Sequence, residues 1–170
     1  MKAIETALSL TQAYKLGIER FEKMLGEEFS RAIDVMNKSN EHIIICGMGK
    51  SGLVGRKISS TLASTGTPSI FLHPAEAIHG DLGKVQKKSI VLLISYSGET
   101  GEIIALIPPL KRLDVIIVAL TGVKDSTLAS KANIILDTSV DREACPLNLA
   151  PTTSTMITMV LVDALAVSLM

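Results

Sequence analysis

The spacing of apolar residues divides the chain into a helical N-terminal part and an alternating part that follows it. Apolar side chains recur every three or four residues from Ile4 to Met36, which predicts one or two amphipathic helices over most of residues 1–40. Short runs that are apolar nearly throughout come next, and this is the pattern of strands buried on both faces. These runs are His42–Cys46, Ser69–Leu72, Ser89–Ser95, Val115–Leu120 and Asn133–Asp137.

Segments of helical composition lie between these runs. The alternation of strand and helix predicts an α/β fold, a three-layer sandwich whose central five-stranded parallel sheet is flanked by helices, as in flavodoxin-like doubly wound proteins. We expect one domain over residues 41–170, with residues 1–40 as a helical extension that packs on it or on a partner subunit. The predicted helices are Ser51–Ser64, Thr100–Leu113, Ser126–Lys131, a short one within Pro74–Leu82, and a last one from near Thr152.

Composition and charge exclude several classes of function. Seventeen Lys and Arg balance seventeen Asp and Glu, so no overall field attracts nucleic acid or anionic lipid. Aromatic residues form only 3% of the chain, which leaves few surfaces for stacking bases. Met1–Thr11 lacks the apolar run of a signal peptide, and the apolar stretch Met156–Met170 is too short to cross a bilayer. We therefore predict a cytoplasmic protein with neither nucleic acid nor membrane as partner.

The turn after the first strand is a candidate ligand site, because open parallel sheets bind ligands beyond the carboxyl ends of their strands. Gly47–Gly52 matches G-x-G-x-x-G, with Gly49 at its centre. Three interpretations stay open: a tight packing turn, a nucleotide site, or a turn that holds a small polar ligand. A nucleotide is disfavoured because no acidic residue ends the second strand, and a P-loop would need Gly in place of Ile44.

Ser95–Thr100, after the third strand, is a candidate phosphate site. Hydroxyls of Ser95, Ser97 and Thr100 surround Gly98 at the point where a buried strand meets a helix. Free N–H groups and the positive end of the helix dipole favour an anion there. The alternative is ordinary capping of the helix by Ser97 or Thr100, which needs only one of these residues.

Three side chains near these loops could move protons. His79 titrates near neutrality, and Glu102 and Glu143 are carboxylates whose pKa burial could raise. The alternatives are a solvated helix-face charge for Glu102 and a loop salt bridge to Arg142 for Glu143. The spacing of His and Cys predicts no metal site, and Cys46 and Cys145, in a chain with no export signal, are expected to be reduced thiols. We expect packing or capping roles for His42 and His73, and a passive thiol at Cys145.

With these residues the chain resembles the sugar isomerase (SIS) domain, and within it the arabinose 5-phosphate isomerases of the Kdo pathway. The resemblance runs in order from about residue 40 to the chain end. His79–Gly83 and Glu143–Leu147 point to this subgroup, whereas the S-x-S-G-x-T pattern of Ser95–Thr100 is general to SIS domains. The other matching segments are Gly47–Gly52, Ala63–Pro68, His73–Pro74, Glu76–Ala77, Leu149–Thr152 and Asp163–Ala166.

The resemblance implies interconversion of D-ribulose 5-phosphate and D-arabinose 5-phosphate through an enediolate, for Kdo, lipopolysaccharide or capsule synthesis, with no cofactor. It implies Lys50 as the residue that stabilises negative charge, His79 as a ligand of sugar oxygens, and Glu143 or Glu102 as the base, with Glu143 favoured. We expect the substrate and its phosphate to contact Gly49, Ser51, Ser95, Ser97, Gly98, Thr100, Thr152 and Ser154.

The chain departs from the family in two ways, and two other functions stay open as alternatives. The CBS domain pair and a histidine-bearing segment that follow the last helix in relatives are absent, so we expect a C-terminally truncated domain with impaired turnover. The family also implies a homo-oligomer, a dimer or tetramer, formed through the N-terminal and C-terminal helices. A non-catalytic sugar-phosphate sensor and an isomerase of another phosphosugar are the alternatives.

Overall fold

A sheet of five parallel strands forms the middle layer of the protein in the computed structural model, which describes residues 2–170. The strands are β1 (Ile43–Gly47), β2 (Ser69–Phe71), β3 (Ile90–Ile94), β4 (Ile116–Thr121) and β5 (Ile134–Asp137). Their order is β2-β1-β3-β4-β5, with Ile44 opposite both Ile70 and Val91. The predicted fold is thereby confirmed, and the direction of winding reverses between β1 and β3, where doubly wound proteins bind ligands.

Helices cover both faces of this sheet. They are α1 (Lys2–Met24), α2 (Glu27–Asn37), α3 (Gly49–Ser64), α4 (Pro74–Ile78), α5 (Gly101–Arg112), α6 (Thr127–Lys131) and α7 (Thr153–Ser168), with a 3₁₀ turn at Asp81–Lys84. Residues of α1, α2, α3 and α7 pack in one core, and residues of α4, α5 and α6 in the other. No helix of residues 2–170 has the length and apolar character needed to span a membrane.

Alternate residues of each strand supply the two cores. Ile43 and Ile45 face the layer of α3 and α7, whereas Ile44 and Cys46 face that of α4 and α5. Every residue of β1 and β3 is buried, so these strands carry no polar side chain to mark a solvent side. The unbroken apolar runs in the sequence are a consequence of this double burial.

The first helix packs on the domain along only part of its length. Ala13, Gly17 and Phe21 form its buried stripe, spaced four residues apart. A Cβ on Gly17 would lie 3.1 Å from Ile157 Cδ1, so the missing side chain lets α1 approach α7 closely. Residues 2–9 are all exposed, and Thr6 and Ser9 among them line a cavity together with residues 142–146.

The outer edge of β5 is covered by two side chains of α2. Glu28 Oε2 accepts a hydrogen bond from Ile135 N–H at 3.2 Å, and Arg31 Nη2 donates to the Asn133 carbonyl at 3.3 Å. Glu28 and Arg31 also form an ion pair with each other. Backbone groups that would otherwise bond an added strand are thus occupied by side chains, which opposes edge-to-edge association.

We expect Leu92→Ala to cost about 2–5 kcal/mol in the free energy of unfolding, because the side chain is fully buried in the central strand and leaves a cavity. Urea denaturation followed by circular dichroism measures the change. Leu53→Ala is the matched control, since Leu53 is 65% exposed and its loss should cost less than about 0.5 kcal/mol. Equal losses in both variants would contradict this placement of the core.

Candidate functional site

Loops from the carboxyl ends of four strands meet at one edge of the sheet. Gly47 pairs with Ile94, so the turn after β1 lies beside the loop after β3. Gly122 N–H, after β4, donates to the Tyr96 carbonyl at 2.9 Å, and Val140 N–H, after β5, donates to the Tyr96 hydroxyl at 3.2 Å. The candidate residues of different strands are therefore neighbours in space.

The loop Ser95–Thr100, here called the phosphate loop, has the form of an anion cradle. Ser95 is buried, and its hydroxyl shares a 2.8 Å hydrogen bond with that of Thr100. Gly98 has φ +66° and a Cβ there would lie 2.0 Å from Ser126 Oγ, so only glycine fits. Ser97 is exposed, and no side chain caps the N-terminus of α5. The first N–H groups of α5 are thus not used by the capping that was the alternative interpretation.

The turn Gly47–Gly52 combines two of its possible roles. A Cβ on Gly52 would lie 2.6 Å from the Gly47 carbonyl oxygen, so the contact between these glycines packs α3 tightly on β1. Gly49 has φ +56° and open space around it. Lys50 is exposed and Ser51 half-buried in the first turn of α3, a helix that no side chain caps. The glycines serve packing, and the residues between them remain accessible to a ligand.

Glu143 is held at the N-terminus of α7. Its Oε2 accepts hydrogen bonds from Thr152 N–H at 2.7 Å, from the Thr152 hydroxyl at 3.0 Å and from Ser154 N–H at 3.3 Å. The described residues show no ion pair between Glu143 and Arg142, the alternative left open by the sequence. Desolvation by partial burial raises the pKa of Glu143, but hydrogen bonds from Ser154 and Thr152 outweigh it, and the net pKa lies below its ordinary value. The carboxylate is therefore ionised at neutral pH.

A cavity of about 270 Å³, here called the edge cavity, is lined by Glu143 and by one residue of the phosphate loop, Tyr96. Glu143, Ser154, Tyr96 and Arg142 are among the residues that line it. Thr152 contacts Glu143 but does not line the cavity. Most groups expected at the site do not line it either, namely Gly49, Lys50, Ser51, His79, Ser95, Ser97, Gly98, Thr100 and Glu102.

His79 and Glu102 stand apart from the residues that the structure brings together. His79 is exposed at the C-terminal end of α4, and no residue of the described chain hydrogen-bonds its side chain. Glu102 is half-buried in the first turn of α5, also without a side-chain hydrogen bond in residues 2–170. Their predicted roles stay predictions, since a single chain gives them no partner.

Two residues of the site were not singled out from the sequence. Tyr96 joins the phosphate loop to the segment after β5, and its only sequence signal is a large aromatic ring among small residues. Asn148 accepts a hydrogen bond from Glu143 N–H at 2.8 Å and has φ +52°, a conformation that Asn tolerates. Its signal is an Asn within the short loop between Pro146 and Pro151.

The pKa values of the two cysteines are shifted in opposite directions. Burial raises the pKa of Cys46 to about 12. Backbone N–H groups of Ala150, Leu149 and Leu147 lower the pKa of Cys145, which is half-buried in the loop before α7. Residues 2–170 contain no group of three His, Cys, Asp or Glu side chains arranged to bind a metal.

We expect Glu143→Gln to lower the melting temperature by about 2–4 °C near neutral pH, because it removes a charged acceptor from the start of α7. A depressed folded-state pKa stabilises the fold above the ordinary pKa of 4.5 and ceases to do so as pH falls through the folded value. The difference between variant and wild type should therefore shrink as the pH falls below 4.5. Glu22→Gln, on the exposed side of α1, is the control and should not change the melting temperature.

Comparisons with known proteins agree on one family. The model of the SIS domain family matches residues 36–168. The chain is 52% identical over 146 residues to the arabinose 5-phosphate isomerase KdsD of Pseudomonas aeruginosa, covering 86% of this chain and 45% of that protein. It is 47% identical over 165 residues to KdsD of Francisella tularensis, covering 94% and 50%. The chain thus spans about half the length of the curated relatives it matches.

A solved structure extends the agreement to the fold. An Escherichia coli CFT073 protein in complex with arabinose 5-phosphate superposes with a TM-score of 0.90 and 37% identity, covering 99% of this chain and 89% of that one. The family match covers residues 36–168, and the parallel sheet and the loop between β3 and α5 agree with it. The chain therefore belongs to the SIS domain family.

Proposed function

We propose that this chain is the isomerase domain of an arabinose 5-phosphate isomerase, which interconverts D-ribulose 5-phosphate and D-arabinose 5-phosphate for Kdo, lipopolysaccharide or capsule synthesis. The observation that carries the proposal is a fixed, ionised carboxylate, Glu143, which lines one cavity together with Tyr96 of the loop that leads into the uncapped start of α5. Similarity to KdsD proteins and to a structure that holds arabinose 5-phosphate supports the choice of sugar.

The phosphate group is bound by the loop ends of β1 and β3 in this proposal. Ser97 and Thr100 donate from hydroxyls, and the free N–H groups of α5 add the positive end of a 12-residue helix. Lys50 and Ser51, in the first turn of α3, supply a cation and a further hydroxyl from the neighbouring strand end. The remaining contacts that we propose for the substrate are Gly49, Ser95, Gly98, Thr152 and Ser154.

Proton transfer is assigned to Glu143. Its Oε2 is occupied by three donors that orient the carboxylate, and these donors leave Oε1 to accept a proton from C2 of the aldose. The electron pair released at C2 forms the enediolate, a proton moves between O1 and O2, and Glu143 returns its proton to C1. C2 is oxidised as C1 is reduced, so the isomerisation balances without an external electron carrier.

The other polar groups stabilise charge or bind oxygens in this scheme. We propose that Lys50 stabilises the negative charge of the phosphate or the enediolate, and that His79 binds the sugar oxygens. Glu102 is the second candidate for the base. The exposed His79 lies apart from Glu143 in its own chain. We propose that it acts across a subunit boundary, on the site of a partner subunit.

We propose a homo-oligomer that forms through α1 and α7, with residues 1–40 as an extension of the domain at 41–170. Support comes from the exposed N-terminal part of α1. Ile4 and Leu8, four residues apart on one face of the helix, are 67% and 62% exposed there. Val167 is likewise exposed near the end of α7. The free thiols, Cys46 and Cys145, fit a reducing compartment, and we propose the cytoplasm.

A sugar-phosphate sensor is the second candidate function. It is favoured by one observation, the absence of His79, Glu102 and Lys50 from the lining of the edge cavity. A sensor needs the phosphate loop but not convergent proton-transfer groups. The two functions differ in whether bound sugar exchanges its C2 proton with solvent.

We expect Ser97→Ala to raise the Kd for D-arabinose 5-phosphate about 10- to 100-fold, because a hydrogen bond to a charged group is lost. Isothermal titration calorimetry measures the affinity. Ser60→Ala, an exposed serine of α3 far along the helix from the loop, is the matched control and should bind as wild type does. Unchanged affinity in both variants would remove Ser97 from the phosphate site.

We expect proton NMR in deuterated water to show loss of the C2 proton signal of D-arabinose 5-phosphate, with ribulose 5-phosphate appearing. Glu143→Gln should abolish the exchange while the Kd for the sugar changes less than about twofold, since a proton acceptor is lost but the phosphate loop is intact. Glu102→Gln, the matched carboxamide change, should retain exchange.

The outcomes separate the proposals. Binding without exchange in wild type favours the sensor, and no binding overturns the assignment of the pentose. Exchange that survives Glu143→Gln but not Glu102→Gln transfers the role of base to Glu102. Melting temperatures at neutral pH check that each variant is folded.

A further inference from the structure

Tyr96 is fixed to the sheet by its backbone. Its carbonyl oxygen accepts hydrogen bonds from Gly122 N–H at 2.9 Å and from Thr121 Oγ1 at 3.1 Å. Both donors belong to the end of β4, the strand next to β3. The middle of the phosphate loop is therefore tied to a neighbouring strand end, and the direction of the Tyr96 side chain is set by that tie.

The ring of Tyr96 packs on the backbone of Gly122. A Cβ on Gly122 would lie 2.5 Å from Cε2 and 2.7 Å from Cζ of the ring, closer than any side chain allows. Gly122 is not in the left-handed region, so backbone conformation does not require glycine there. The contact with the Tyr96 ring is what excludes a side chain at this position.

The hydroxyl of Tyr96 reaches the segment between β5 and α7, residues 138–152, here called the glutamate segment. It accepts a hydrogen bond from Val140 N–H at 3.2 Å, three residues before Glu143. On the other side, Arg20 of α1 holds the same stretch through Ser139 Oγ at 2.9 Å and Asp141 Oδ1 at 2.7 Å. The start of the glutamate segment is thus held between one side chain of α1 and one of the phosphate loop.

We propose that Tyr96 is a positioning residue that couples the phosphate loop to Glu143, so that binding of phosphate sets the carboxylate against the sugar. The inference rests on the proposed function for its effect on turnover. Tyr96 touches no reacting atom in this scheme and acts through Val140 and the residues that follow it.

The position of the ring argues against a role in packing alone. Tyr96 is 37% exposed and belongs to neither apolar core, whereas a tyrosine kept for burial would be covered. Its ring and Glu143 line the same edge cavity. In this proposal, a shift of the phosphate loop on binding an anion passes to the glutamate segment through the Tyr96 side chain.

Enzyme kinetics with four variants test the coupling. Tyr96→Phe keeps the ring and removes only the acceptor of Val140 N–H, and we expect kcat to fall about tenfold while KM changes less than about twofold. Tyr14→Phe is the matched control, because Tyr14 lies on α1 with no hydrogen bond to its hydroxyl in the described chain, and it should leave both constants unchanged.

Gly122→Ala disrupts the same contact, because the added Cβ displaces the ring of Tyr96. We expect a loss of kcat at least as large as that of Tyr96→Phe. The double variant Tyr96→Phe/Gly122→Ala should match Gly122→Ala alone, because a displaced ring no longer offers its hydroxyl to Val140. Additive losses would mean that the two residues act separately, and would overturn the coupling.

NMR with inorganic phosphate tests the coupling without requiring turnover. In wild type, titration should shift the amide signals of both Ser97 and Glu143. In Tyr96→Phe the Ser97 signal should still move and the Glu143 signal should not. The Tyr14→Phe control should respond as wild type does.

These outcomes either support or overturn the coupling through Tyr96. Transmission to Glu143 in wild type but not in Tyr96→Phe supports the inference even if no phosphosugar is isomerised, in which case only the proposed function fails. An equal Glu143 shift in both proteins, or a wild-type kcat in Tyr96→Phe, overturns the inference. Absence of any response at Ser97 overturns the inference together with the proposed phosphate site.

Discussion

All five strands run in the same direction, and this constraint determines where ligand chemistry is possible in the protein. Parallel strands end at one edge, so every loop that follows a strand begins within reach of its neighbours. Both faces of the sheet are covered by helices, and the apolar side chains of β1 and β3 are fully buried. The polar side chains that the sheet can present to a ligand therefore lie at the strand ends, where hydroxyls, glycines and a carboxylate are found.

Glu143 has a structural role at this edge, and we propose that it also has a chemical one. Three donors at the start of α7 hold one carboxylate oxygen and keep the group ionised. The same bonds place the residue at the edge cavity, which Tyr96 of the phosphate loop also lines. As the proposed base, Glu143 must be unprotonated and oriented when it meets the substrate, and the unpaired N–H groups of a helix N-terminus favour both conditions.

Close backbone approaches join the loops of the site. Gly98 lies against Ser126, Gly122 against the ring of Tyr96, and Gly52 against the Gly47 carbonyl, each at a distance that excludes a Cβ. These contacts bind β1 to α3, and the phosphate loop to α6 and β4. Gly98 and Gly122 make room for the side chains of Ser126 and Tyr96, and Gly52 makes room for a main-chain carbonyl.

Local pattern by itself determined the strands, the helices and the phosphate loop, because apolar periodicity and hydroxyls around Gly98 are properties of neighbouring residues. Only the tertiary structure decided that Glu143 caps α7 rather than pairing with Arg142, that Gly122 serves the ring of Tyr96, and that Tyr96 holds Val140. These contacts join residues far apart in the chain, and a hydrogen bond between distant residues leaves no periodic trace in either segment. They exist because the parallel sheet brings separate strand ends together at one edge.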